Sequence, residues 1–168
     1  NVTFEKTSFG KGRKDFKYVE FGGGKIDFKR IEFNDGDVSF EGVEFGDGKV
    51  SFRSSVFGKG HKTFEMADFA HGDAQFDLVE FGQGTVSFNQ ASATTISFKN
   101  CHLDAYMDLR FAKCHALDLS NTVVRDILDV KPEDEKVAIE EMILKDMRIL
   151  GRLFISWRGN DVYDLIYN

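Results

Sequence analysis

The chain reads as an all-β solenoid, and three features of its spelling predict this. The first is a beat of phenylalanines at positions 4, 9, 16, 21, 28, 33, 40, 45, 52, 57, 64, 69, 76, 81 and 88, at alternating intervals of five and seven residues. The second is a small or β-branched residue two places before nearly every Phe, as at Val19, Ile26, Ile31, Val38, Val43, Val50, Ser55, Ala67, Ala74, Val79 and Val86. Two inward residues around one outward residue is strand geometry, because successive side chains point to opposite faces. The third is a glycine closing a longer corner after every second Phe. A fixed internal period of this kind means that each repeat buries its apolar side against the next.

Each phrase, such as Val19-Glu20-Phe21-Gly22-Gly23, is one short strand followed by a corner. The longer corners run Gly10-Lys11-Gly12, Gly22-Gly23-Gly24, Asn34-Asp35-Gly36, Gly46-Asp47-Gly48, Gly58-Lys59-Gly60, Ala70-His71-Gly72 and Gly82-Gln83-Gly84. Glycine takes positive φ without steric cost, so the closing position is expected to need a left-handed residue.

The rhythm small-x-Phe-x-x resembles the pentapeptide-repeat family from about Val2 to about Val124. The resemblance implies a right-handed, four-sided β-helix in which four phrases make one coil, here with two-residue insertions at alternate corners. A coil is then 24 residues, and the rings fall into columns. Phe4, Phe28, Phe52 and Phe76 form the first; Phe9, Phe33, Phe57 and Phe81 the second; Phe16, Phe40, Phe64 and Phe88 the third. Phe21, Phe45 and Phe69 form the fourth, which ends at Ala93. A narrower coil of 12 residues is rejected because the chain after Phe88 drops to plain steps of five through Ala93, Phe98 and Leu103. Each buried ring is worth roughly 1.5–3 kcal/mol, and emptying one to Ala should cost about 3–5 kcal/mol. Rungs about 4.8 Å apart predict roughly seven coils in a rod about 30 Å long.

From Thr94 the spelling changes while the rhythm persists in Ile96-x-Phe98, Cys101-x-Leu103, Met107-x-Leu109, Ala112-x-Cys114, Leu117-x-Leu119 and Thr122-x-Val124. Residues 126–150 allow two readings. Pro132-Glu133-Asp134 looks like a helix start, with Ile139, Met142, Ile143, Met147 and Leu150 at helical spacing before Gly151. Against it, Val137-x-Ile139, Met142-x-Leu144 and Met147-x-Ile149 keep the step of five and lead to the strand pattern Leu153-x-Ile155-x-Trp157, and strands are the favoured reading. The expected organisation is a β-helix over 1–157 and a helix over 158–168, with Asn160 as N-cap and Val162, Leu165 and Ile166 on one face, covering the last coil. Trp157 is expected to belong to that cap.

The 168 residues carry a net charge of −6. The first thirty are basic, from Lys6, Lys11, Arg13, Lys14, Lys17, Lys25, Lys29 and Arg30, and the next twenty are acidic. A nucleic-acid stripe would need sustained basic charge with outward aromatics, whereas these aromatics point inward. The sequence has neither an apolar run long enough to cross a bilayer nor a signal-peptide pattern. Opening on the beat without Met, it is read as trimmed or cut from a longer polypeptide, expected to be bacterial.

Several features imitate functional chemistry. The Gly-Lys corners lack the Ser or Thr of a phosphate loop and lead into strands. Cys101-His102 and Cys114-His115 resemble zinc half-sites, but the beat sends each Cys inward and each His outward. Two unpaired thiols fit a reducing, cytoplasmic location. His61 and His71 lack a convergent Ser or carboxylate, and Asp35, Asp37, Asp47 and Asp73 lack the nine-residue period of a calcium β-roll. The expectation is therefore no catalytic, cofactor or metal site, and a scaffold or interaction module with a protein partner. The resemblance implies two alternatives: a soluble regulatory part of a membrane-tethered protein, and a DNA-shaped binder of type II topoisomerases.

Overall fold

The structure is a computed structural model that describes residues 1–131 and 139–155. They form a parallel β-solenoid of about six turns, and every regular element among them is a strand. One seven-stranded sheet stacks Val2–Thr3, Ile26–Asp27, Val50–Ser51, Asp73–Gln75, Ser92–Ser97, Lys113–Asp118 and Ile139–Ile143. A second stacks Lys14–Asp15, Val38–Ser39, Lys62–Thr63, Thr85–Ser87, Tyr106–Asp108, Ile127–Asp129 and Arg152–Phe154. Shorter sheets and isolated bridges complete each coil between these two.

Val2 stands opposite Ile26, Ile26 opposite Val50, and Val50 opposite Ala74, a repeat of 24 residues that excludes a 12-residue coil. Where the long corners disappear the coil tightens, so that Ala74 meets Ile96 and Val86 meets Met107. It widens again at the end, where Leu117 meets Met142 and Leu128 meets Leu153. The stretch read as helix or strand forms, among its described residues, the strands Ile127–Asp129, Ile139–Ile143 and Arg148–Ile149 and no helix. The expected cap over 158–168 and Trp157 lie outside the described residues.

The rings stack in files. Centroids are 5.0, 4.7 and 4.8 Å apart from Phe4 through Phe28 and Phe52 to Phe76, and 4.7, 5.1 and 4.6 Å apart from Phe16 through Phe40 and Phe64 to Phe88. Phe9, Phe33, Phe57 and Phe81 stack at 5.5, 4.4 and 5.7 Å, and Phe21, Phe45 and Phe69 at 5.6 and 4.8 Å. Neighbouring files meet edge to face, as Phe28 does Phe40 at 5.3 Å and 79°. Both arrangements suit the ring quadrupole.

Three departures from the sequence reading have physical causes. Ala112 was expected inside, yet it is exposed and Phe111 is buried in its stead, 6.0 Å from the Phe88 ring. The fourth file has already shrunk to Ala93 and Cys114, which leaves room for that ring. The positive-φ account of the long corners holds at Gly12, Gly24, Gly36, Gly60 and Gly84 but not at Gly48 or Gly72. There a Cβ would lie 1.7 Å from the Gly24 carbonyl oxygen and 2.0 Å from that of Gly48. Close stacking of one corner on the next imposes those glycines. Conversely, the short corners mostly use positive φ without glycine, at Lys6, Tyr18, Arg30, Ser54, Met66, Leu78, Gln90, Asn100, Asn121 and Asp146, with Gly42 the exception. Most of these corners are tight turns such as Val79 N–H donating to the Phe76 carbonyl at 3.3 Å, while at Arg30 and Asn100 the Ser55 and Thr122 hydroxyls bridge the turn instead, and the third residue takes the positive φ that a type II turn requires there.

Candidate functional surface

The interior is closed to any partner. All rings from Phe28 to Phe88 are at most 2% exposed, and the polar groups beside them are satisfied internally. Ser55 Oγ donates to the Phe28 carbonyl at 2.6 Å, and Thr122 Oγ1 donates to that of Phe98 at 2.6 Å. Whatever this chain binds must therefore meet outward side chains and corners.

Two inward positions hold lysine, which the beat alone did not reveal. Lys14 and Lys62 occupy the place taken by Val38 and Val86 on alternate coils. Their stems line the core while their ammonium groups reach the next corner, donating to the Asp35 carbonyl at 2.9 Å and the Gln83 carbonyl at 2.7 Å. Burial pushes the Lys62 amine down to about 8 despite the opposing pull of Asp37 and Asp35, and it lowers Lys14 in the same way, opposed by Asp35. The signal was present as Lys two places before Phe16 and Phe64, but a charged residue is ordinarily read as outward.

Outside, equivalent positions on successive coils form ladders. Glu20, Glu44 and Asp68 stand opposite one another and are exposed. Among the described residues no basic side chain forms an ion pair with them. Like charges in register repel, so this ladder costs stability where it stands. A corner away, Asp27 is bracketed by Lys25 at 3.1 Å and Lys29 at 3.2 Å, and Arg30 reaches Glu5 at 3.3 Å. Burial raises the Asp27 carboxyl, but hydrogen bonds from Lys25 and Lys29 outweigh it and hold the group below its ordinary value. Lys17 and the Tyr18 hydroxyl both donate to Glu41. The basic first thirty residues thus lie largely within a network of alternating sign.

The cysteines and histidines separate as the beat predicts. Cys101 and Cys114 are buried free thiols, both pushed up to about 12, chiefly by burial. His102 and His115 are exposed, and His115 Nδ1 lies 2.7 Å from Glu140. His61 Nδ1 meets Thr85 Oγ1 at 2.7 Å, and the His61 N–H donates to Asp37 at 2.8 Å, which is corner-to-corner stapling. Asp35 likewise accepts the Lys59 N–H at 3.0 Å. Among the described residues no group of three or more His, Cys, Asp or Glu is placed to hold a metal ion, and no helix is long and apolar enough to cross a membrane. In sequence, the chain matches no protein-family model and no curated protein.

Proposed function

We propose that this chain is a non-enzymatic scaffold or protein-interaction module, a stiff rod that works through ladders of outward side chains. The finer architecture belongs to the same reading: a right-handed, four-sided β-helix of the pentapeptide-repeat kind, with residues 158–168 as a helical cap, in a reducing bacterial cytoplasm. The observation that carries it is the division of chemistry across the wall. Rings and aliphatic groups fill the inside, while Glu20, Glu44 and Asp68 hold charge in register outside. Such a surface recognises a partner by spacing and sign rather than by enclosing it. Reversing the three carboxylates to Lys is expected to abolish partner retention in its own cell extract while leaving the melting temperature no lower. Turnover of a substrate by the purified chain would overturn the reading.

A second reading, mimicry of DNA toward a type II topoisomerase, is favoured by the same carboxylate ladder. It predicts inhibition of gyrase supercoiling that weakens as salt rises and disappears with the triple reversal. A pure scaffold leaves gyrase untouched.

A further inference from the structure

The short corners after Phe16, Phe40, Phe64 and Phe88 set Tyr18, Gly42, Met66 and Gln90 in one column along the rod, and Gly42 breaks its spelling. Gly42 takes φ 61, a conformation its neighbours adopt with side chains, so the turn alone does not call for glycine there. The Tyr18 ring does. A Cβ on Gly42 would lie 2.5 Å from Cδ1 and 2.6 Å from Cε1 of that ring, so the ring seats one edge on the bare backbone. Its hydroxyl donates to Glu41 at 3.0 Å. Seat and hydrogen bond fix the side chain, and it is still 66% exposed. The ring stands at the height of the second coil, so a coil preceding Asn1 would lie about two rungs, roughly 10 Å, below it.

Met66 follows on the third coil, 52% exposed. Carboxylates border this column on both sides. Glu20, Glu44 and Asp68 each stand two residues after it, and Glu41 and Glu65 each stand one before. Among the described residues Glu20, Glu44, Glu65 and Asp68 form no ion pair, whereas the neighbouring ammonium of Lys17 is taken up by Glu41.

We propose that this column docks an extended, arginine-rich segment of a protein partner, with one guanidinium against the Tyr18 ring. Charge complementarity selects that occupant. An acidic or purely apolar segment would have to lie among unpaired carboxylates, whereas a basic one neutralises them and is drawn to them from a distance. A cation over an aromatic face is attracted by the ring quadrupole, and the thioether of Met66 adapts to the alkyl stem of a neighbouring basic residue. A ring already held in place loses little freedom when the partner arrives. The docking site rests on the partner-binding reading of the carboxylate ladder and adds the chemistry of what binds.

A fluorescein-labelled ten-residue peptide of alternating Arg and Ala, titrated with the 168-residue chain and followed by anisotropy, is expected to bind saturably and more weakly as salt rises. A peptide of alternating Glu and Ala is expected not to bind. Tyr18→Ala should weaken binding at least about tenfold while the chain melts as before, and Tyr18→Phe should restore most of the affinity. Gly42→Ala, which unseats the ring, should behave as Tyr18→Ala does. No binding of the Arg peptide, equal affinity in Tyr18→Ala, or equal binding of the Glu peptide would overturn the inference. If Tyr18→Ala keeps the partner from cell extract while the carboxylate triple reversal loses it, the docking site falls and the proposed function stands. Retention that survives the triple reversal, with the Arg peptide still bound through Tyr18, would strike the proposed function alone.

Discussion

Lys62 is 1% exposed and its amine is bonded to one carbonyl, so the folded state disfavours its charge. The amine titrates near 8 when folded and near 10.5 when free. Between those values the unfolded chain holds more protons, so stability should rise with pH across that window. Below it both states are charged and the burial cost stands in full, at most about 3 kcal/mol from a shift of this size. Lys62→Met keeps the apolar stem and removes the charge. It is expected to stabilise the rod at pH 7, with an advantage over the parent that shrinks toward pH 10.5; urea melts across that range check it. An advantage independent of pH would mean that the amine is not the cause. The glycines separate in the same way by position. Gly72→Ala should cost several kcal/mol because a backbone oxygen stands 2.0 Å from the new Cβ. Gly10→Ala meets nothing within 4 Å and should leave an isolated rod nearly unchanged.

The two kinds of corner are separate devices with separate spellings. Before a short corner stands a hydroxyl or carboxylate that accepts the N–H two residues on, as Asp15 does from Lys17 at 3.2 Å, Thr63 from Glu65 at 3.2 Å and Asp118 from Ser120 at 3.0 Å. Such side-chain caps pre-form the turn. Gln75 cannot play this part, and there Asp77 instead accepts the Ser97 hydroxyl at 2.6 Å and the Lys99 N–H at 3.1 Å. The positive φ that follows is strained for a side chain with a Cβ. Leu78, 44% exposed at φ 59, should therefore tolerate Leu78→Gly with a gain of up to about 1 kcal/mol. Within the strands, Phe52→Ala should cost about 3–5 kcal/mol and Arg53→Ala little, which thermal melts distinguish. The pairing register, the burial of the rings and the outward histidines were legible because a 24-residue period leaves one solution for stacking. Lys14, Lys62 and Phe111 were not, because whether a stem can carry its charge to a corner, or a ring can enter above Ala93, depends on space that only the neighbouring coil defines. The carboxylate ladder was implicit in the same period.

At the level of the whole molecule, each coil is held by the coils beside it, and contacts do not span the rod. Val50 pairs with Ile26 and Ala74, and Phe52 stacks on Phe28 and Phe76. Stability should therefore be close to a sum over coils and their interfaces. Deleting residues 29–52 removes one full 24-residue period and joins Phe28 to Arg53, as Phe52 is joined now. Every downstream pair then finds an equivalent partner: Ala74 falls on Ile26 and Phe76 on Phe28. The shortened chain is expected to fold cooperatively, with β-sheet circular dichroism and a lower denaturant slope, because less surface is buried. Deleting only residues 29–33 removes one strand with its corner, so that seven-residue phrases fall above five-residue ones. The glycine corners then no longer stack on glycine, and carbonyls meet side chains at the distances that exclude a Cβ from Gly48 and Gly72. That variant should lose cooperative unfolding altogether. If both deletions fold equally well, coil-on-coil register is not what specifies this rod; if neither folds, its stability depends on contacts longer than one coil.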